Sequence, residues 1–154
     1  TKITDEGLFH LANLTRLEWL NLFQTNVGDE GMAHLSKLRS LQYLPIGKTR
    51  LTDTGLAHIK KINSLKYLGL RGNKITDKGL THLQELHHLT ELHLGETSIT
   101  DQGVQEISRF RKLKRLWLHD TKITNKITVN ASLNLPKRQP THPTSVTTAI
   151  HGKY

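Results

Sequence analysis

There is no cysteine in this chain. That excludes disulfides, thiolate zinc sites and cysteine nucleophiles, and leaves no sign of an oxidising compartment. There is no run of about 18 apolar residues and no signal-peptide hydrophobic segment at the start, so neither a membrane span nor an export signal is expected. A cytoplasmic location follows as the expectation. Aromatic residues are scarce at 5%, which leaves aliphatic side chains to fill any core. Acid is missing from one end. Residues 121–154 carry five Lys/Arg and no Asp or Glu, whereas residues 1–120 carry 17 and 13, so the tail supplies +5 of the net +9. A nucleic-acid reading of the whole domain therefore does not follow from its basicity.

Catalytic signatures are missing as well. "GKT" at Gly47 to Thr49 resembles the end of a phosphate loop, but Gln42 stands where that loop needs its first glycine. No GxSxG, HExxH or dinucleotide-binding glycine pattern occurs. No enzyme and no cofactor are expected.

What is present is a repeat. At 154 residues the chain suits one domain, and it repeats every 24 residues without an insertion. Ile3, Val27, Leu51, Ile75, Ile99 and Ile123 keep that spacing, as do Asp5, Asp29, Asp53, Asp77 and Asp101. Gly7, Gly31, Gly55, Gly79 and Gly103 follow two residues after each Asp. Each unit holds seven apolar slots, in the first unit Ile3, Leu8, Leu11, Leu14, Leu17, Leu20 and Leu22. Over five units only Met32 and Phe110 depart from Leu, Ile or Val.

The spacing within a unit gives its local structure. Leu20 and Leu22 alternate with Trp19, Asn21 and Phe23, the period of two of a strand with one buried face. Leu8, Leu11 and Leu14 lie three apart, as on one stripe of a short helix, and the preceding "TD" offers a cap with acid at the positive end of the dipole. Each unit is thus a strand, a turn, a short helix and a return. One unit cannot bury its own leucines, but stacked units share a continuous core.

The stretch "LTRLEWLNLFQTNVGDEGMAHLSKL" resembles the leucine-rich repeat pattern, in the subclass similar to the cysteine-containing repeats of F-box-like proteins and of many bacterial proteins. The resemblance covers residues 1 to about 124. It implies an α/β fold: a right-handed, arc-shaped solenoid with a parallel sheet on the concave side and short helices on the convex side. The slot the family often fills with Asn or Cys holds Thr25, Thr49, Asn73, Thr97 and Thr121, and a Thr hydroxyl can still serve the turn backbone. A sixth unit breaks down, with Ile127 in place of the glycine and Thr128, Ala131, Asn134 and Lys137 in apolar slots. The expected domains are 1–124, the repeats, and 125–154, for which a degenerate cap, a flexible basic tail and an unrelated segment all stay open. Thr1 enters in mid-pattern, so the sequence reads as a piece of a longer chain whose uncapped ends are candidates for self-association.

Outward strand positions fall into three columns: Trp19, Tyr43, Tyr67, Glu91 and Arg115; Asn21, Pro45, Gly69, His93 and Trp117; Phe23, Gly47, Arg71, Gly95 and His119. They hold five of the eight aromatics. Strands favour aromatics in any case, yet exposed rings beside Arg and His have the composition of an interface hot spot. The resemblance implies a non-catalytic protein-protein interaction module. The residues expected to meet the partner are Trp19, Asn21, Phe23, Tyr43, Tyr67, Arg71, Glu91, His93, Arg115, Trp117 and His119.

The basic stretch "RFRKLKR", residues 109–115, supports a second reading. Phe110 and Leu113 fill apolar slots there and only Arg115 points to the inner face. A solvated rim is the plain account, and an anion or nucleic-acid site including the tail is the alternative. A third reading is a structural spacer. His10, His34, His58 and His82 also recur every 24 residues, but helices ~8–10 Å apart keep such a row from sharing one zinc. His87, His88 and His93 are split between return and strand, so no metal is expected. "NAS" at Asn130 is a glycosylation sequon only in a secreted eukaryotic protein.

Overall fold

The computed structural model describes residues 2–124, so the cap or tail expected over 125–154 lies outside the described residues. Among the described residues there are five short helices and four strands, alternating from the second helix on. They are α1 (Asp5–Phe9), α2 (Asp29–Leu35), β1 (Tyr43–Pro45), α3 (Asp53–Ile59), β2 (Tyr67–Gly69), α4 (Asp77–His82), β3 (Glu91–His93), α5 (Asp101–Ile107) and β4 (Arg115–Trp117), with a single 3-10 turn, Leu83–Glu85, after α4. The strands form one parallel sheet in the order β1-β2-β3-β4, and every helix packs against its neighbours in sequence. This is an α/β leucine-rich repeat solenoid.

The register follows the repeat period. Tyr43 pairs with Tyr67, Tyr67 with Glu91 and Glu91 with Arg115, each 24 residues on. The first coil contributes only a bridge, Trp19 to Tyr43, but its backbone continues the ladder through Leu20 N–H to Tyr43 O and Leu22 N–H to Pro45 O.

The apolar slots fill the space between sheet and helices. From Val27 to Leu94 every slot is at most 1% exposed, because each is covered by a coil on either side. The first coil differs. Leu14 is 50% exposed, and Leu11, Leu17 and Leu20 are only partly buried, since no described coil covers their outer side. Burial of all seven slots thus holds for the inner coils and fails for the first.

Two polar ladders hold the coils in phase. Asp29, Asp53 and Asp77 each accept, on Oδ1, the backbone N–H of the Thr one coil on (2.8–2.9 Å) and, on Oδ2, that residue's hydroxyl (2.5–2.6 Å). Asp5 accepts from Gly28 N–H at 2.6 Å, and Asp101 takes both contacts from Thr124. The sequence pattern makes these aspartates cap residues. In the folded chain Thr52, Thr76 and Thr100 are the caps, each accepting from the backbone two residues on, and the aspartates staple one coil to the next. The second ladder lies in the turn after the strand. Thr25, Thr49, Thr97 and Thr121 donate to the carbonyl three residues back, while buried Asn73 reaches into the preceding coil, accepting from Thr49 N–H and donating to Ile46 O, both at 2.8 Å.

Candidate functional site

The face of the sheet turned away from the helices is the candidate interface. Alternation along each strand sends Leu44, Leu68, Leu92 and Leu116 inward and their neighbours outward. The pairing aligns two expected columns directly, Tyr43-Tyr67-Glu91-Arg115 and Pro45-Gly69-His93-Trp117, with Trp19 bridged to the first. The third column lies one step on, where Lys48 N–H reaches Arg71 O, Gly72 N–H reaches Gly95 O and Glu96 N–H reaches His119 O.

Glycines on this face act as seats for rings. A Cβ at Gly47 would come within 3.1 Å of the Phe23 ring, one at Gly69 within 2.8 Å of the Tyr67 hydroxyl, and one at Gly95 within 2.5 Å of the His119 imidazole. These three positions are buried because the rings lie on them.

The face divides into two halves. Toward the first coil, Trp19 (57% exposed), Tyr43 (41%) and Phe23 (39%) stand open, with Asn21 exposed between the two first-coil rings. Toward the last coil the side chains are committed to one another. Trp117 stacks on His93 at 5.5 Å with planes 16° apart and meets Tyr67 edge-on at 6.4 Å, while His119 stands edge-on to His93 at 5.1 Å. Arg71 donates to Glu96, through Nε at 2.8 Å and through Nη2, Lys48 lies 3.6 Å from the same carboxylate, and Arg115 pairs with Glu91.

The committed half has shifted acidities. Burial pushes the His93 imidazole down to about 4, and the neighbouring His119 and Arg71 add to the effect. Its Nδ1 is an acceptor, taking the Gly95 N–H at 3.2 Å. The hydrogen bond from Arg71 holds the Glu96 carboxyl below its ordinary value, and burial followed by the nearby Glu91 charge raises the Tyr67 hydroxyl.

Glu96 and Lys48 were not among the expected site residues. They belong to a fourth column, Gln24, Lys48, Gly72, Glu96 and Asp120, in which every residue has φ between 53° and 68°. The signal was Gly72: one glycine at a repeat position marks a left-handed turn that the other coils make with larger residues. The left-handed turn places the Glu96 carboxylate beside Arg71, so a cation expected to meet the partner is already paired within the chain.

Glu96, His119 and Asp120 can bring ligand atoms within 4.8 Å of one another, the group of this kind found among the described residues. Arg71 and Lys48 already hold the Glu96 carboxylate, and their charge opposes a cation there. Along "RFRKLKR" the basic residues divide. Arg109 pairs with Glu106 at 3.0 Å and Arg115 with Glu91, whereas Arg111, Lys112 and Lys114 are exposed with no ion pair among the described residues. Of the recurring histidines, His34 meets Phe9 edge-on at 5.5 Å.

A parallel sheet of 24-residue coils with an open side-chain face defines the class of fold, a leucine-rich repeat solenoid. Residues 61–83 and 85–108 match the family model described as Leucine Rich repeat. Among solved structures the chain is similar to an internalin (inlF) from Listeria monocytogenes, at 28% identity and a TM-score of 0.74 over 86% of this chain and 36% of that one. It is also similar in fold to an internalin C2 (inlC2) from the same organism, at 20% identity and a TM-score of 0.56 over 87% and 74% of the two chains. The chain therefore spans about a third of the length of the first internalin. No curated protein matches its sequence.

Proposed function

We propose that the chain is a non-catalytic recognition module that binds a protein partner through its concave sheet face, and that the open half, Trp19, Phe23 and Tyr43, supplies most of the affinity. The fold commonly serves protein-protein interaction, and leucine-rich repeat scaffolds are generally non-enzymatic. The observation that carries the reading is the exposure of three large rings on a rigid sheet, where desolvating them needs no rearrangement of the protein. Arg71 is held by Glu96, Arg115 by Glu91, and His93, Trp117 and His119 by one another, so they shape the rest of the face and add less. Asn21 lies within the open half between Trp19 and Phe23, and Tyr67 sits at the boundary between the halves. Placement in the subclass resembling F-box-like proteins, with a substrate-receptor role, belongs to the same proposal, as does a cytoplasmic location.

Affinity capture with the wild-type chain and with Trp19→Ala and Tyr43→Ala tests it. At least one captured protein should fall tenfold or more in recovery with either substitution, and its retention should change little with salt. Recovery indifferent to both substitutions, or retention that falls steeply with salt as counterion release dictates, overturns the reading.

A further inference from the structure

A depression of about 360 Å³ lies away from the concave face, where the return after α4 meets the return after α5. Leu86 and Leu89 form its floor with Phe110, and Arg109, Arg111 and Lys112 stand around it. Phe110 is one of two departures from Leu, Ile and Val in the apolar slots, and it is only partly buried. The volume is within the ~300–1,000 Å³ of ordinary ligand pockets.

The charges around it are unbalanced. Glu106 draws Arg109 at 3.0 Å and also accepts from Gln84. Arg111 and Lys112 are exposed, no ion pair engages either among the described residues, and no acidic residue lines the depression. The geometry points to a second docking site, an apolar seat ringed by cations that takes an acidic peptide segment presenting one apolar side chain.

Charge decides the occupant. Residues 121–154 contain no acid and five Lys/Arg, so the chain's own C-terminal stretch is repelled by this rim, and a second copy at net +9 is a poor partner for the same reason. A polyanion without an apolar group would satisfy Arg111 and Lys112 but leave Phe110 uncovered. An acidic segment with one inserted leucine-like side chain satisfies both.

The probe is a fluorescent decapeptide of Glu and Asp with one central Leu, titrated against the full chain by anisotropy. Saturable binding is expected, at least tenfold weaker when the Leu is replaced by Ala and at least tenfold weaker for Arg111→Gln/Lys112→Gln. Both substituted side chains are exposed, so the fold is retained and circular dichroism confirms it. Trp19→Ala should leave this binding unchanged, which separates the site from the concave one. Equal affinity for the Leu and Ala peptides reduces the site to bare charge and overturns the proposal. So does no saturable binding, or a DNA oligonucleotide that binds more tightly with the steeper salt dependence of phosphate contacts.

Discussion

Gly79 lies in the first turn of α4 with the Asp53 carboxylate of the preceding coil against its α-carbon: a Cβ there would sit 2.2 Å from Asp53 Oδ1 and 2.9 Å from Leu56 Cδ1. Gly31, Gly55 and Gly103 meet Asp5, Asp29 and Asp77 in the same way. Gly7 occupies the same slot of the first coil, where the nearest side-chain atom is 3.6 Å away on Ile3. Replacing a helical Gly by Ala ordinarily gains ~1 kcal/mol. Gly7→Ala should therefore stabilise by up to about 1 kcal/mol, whereas Gly79→Ala should destabilise by about 2 kcal/mol, because overpacking displaces the Asp53 staple. Urea unfolding of both variants checks the opposite signs. In an Asp53→Ala background the penalty at Gly79 should shrink, the non-additivity expected of groups in contact. Both columns were plain in the sequence as a 24-residue recurrence. Their interlock was not, because the contact joins residues 26 apart on different coils, and a one-dimensional pattern does not show which recurring positions touch. The left-handed column argues similarly: Gln24 has φ 55°, and Gln24→Gly should raise stability by roughly 0.5–1 kcal/mol by relieving the strained turn.

At the scale of elements, three-residue strands hold the committed half of the face together, and its acid response follows from His93. The imidazole titrates near 6.5 when unfolded and near 4 in the folded chain. Between these values the unfolded state binds the extra proton, so stability is full above about 6.5, falls as pH drops toward 4 and is level below. Glu96, held low by Arg71, also contributes stability that is present above its unfolded pKa and is lost as pH falls through its folded value. Both terms weaken the fold in acid. Thermal unfolding followed from pH 7 to 4 should show a falling Tm. His93→Phe keeps a flat ring on Trp117 and cannot titrate, so the decline between about 6.5 and 4 should flatten. It should lose ~1 kcal/mol throughout for the Gly95 N–H left without its acceptor. A slope unchanged by this substitution would place the proton elsewhere. The strands and the three outward columns were legible because alternation and the repeat period fix which way each side chain points. Pairing within the face was not, since ion pairs such as Arg71 with Glu96 depend on a left-handed turn that only Gly72 hints at.

For the whole molecule, stability is a sum over coils and the interfaces between them, and the burial profile says where that sum is largest. Leu44 and Leu68 are 0% exposed between coils on both sides, whereas Leu14 is 50% exposed on the first coil. The seven-slot pattern counts all three as core slots alike, because it records spacing and not how many neighbours a coil has. Leu68→Ala leaves a cavity that the flanking coils cannot close and should cost about 3 kcal/mol, against under about 1 kcal/mol for Leu14→Ala. The effect should also be non-uniform along the chain. Asp29 and Asp53 staple the third coil to the second and fourth, so weakening the third uncouples the two ends. Hydrogen exchange should then find amides of the third coil and its immediate neighbours losing protection together in Leu68→Ala, with α5 less affected. In Leu14→Ala the loss should stay within the first coil. Uniform loss of protection from α1 to α5 in both variants would instead describe a single cooperative unit, and the coil-by-coil account of this solenoid would fail.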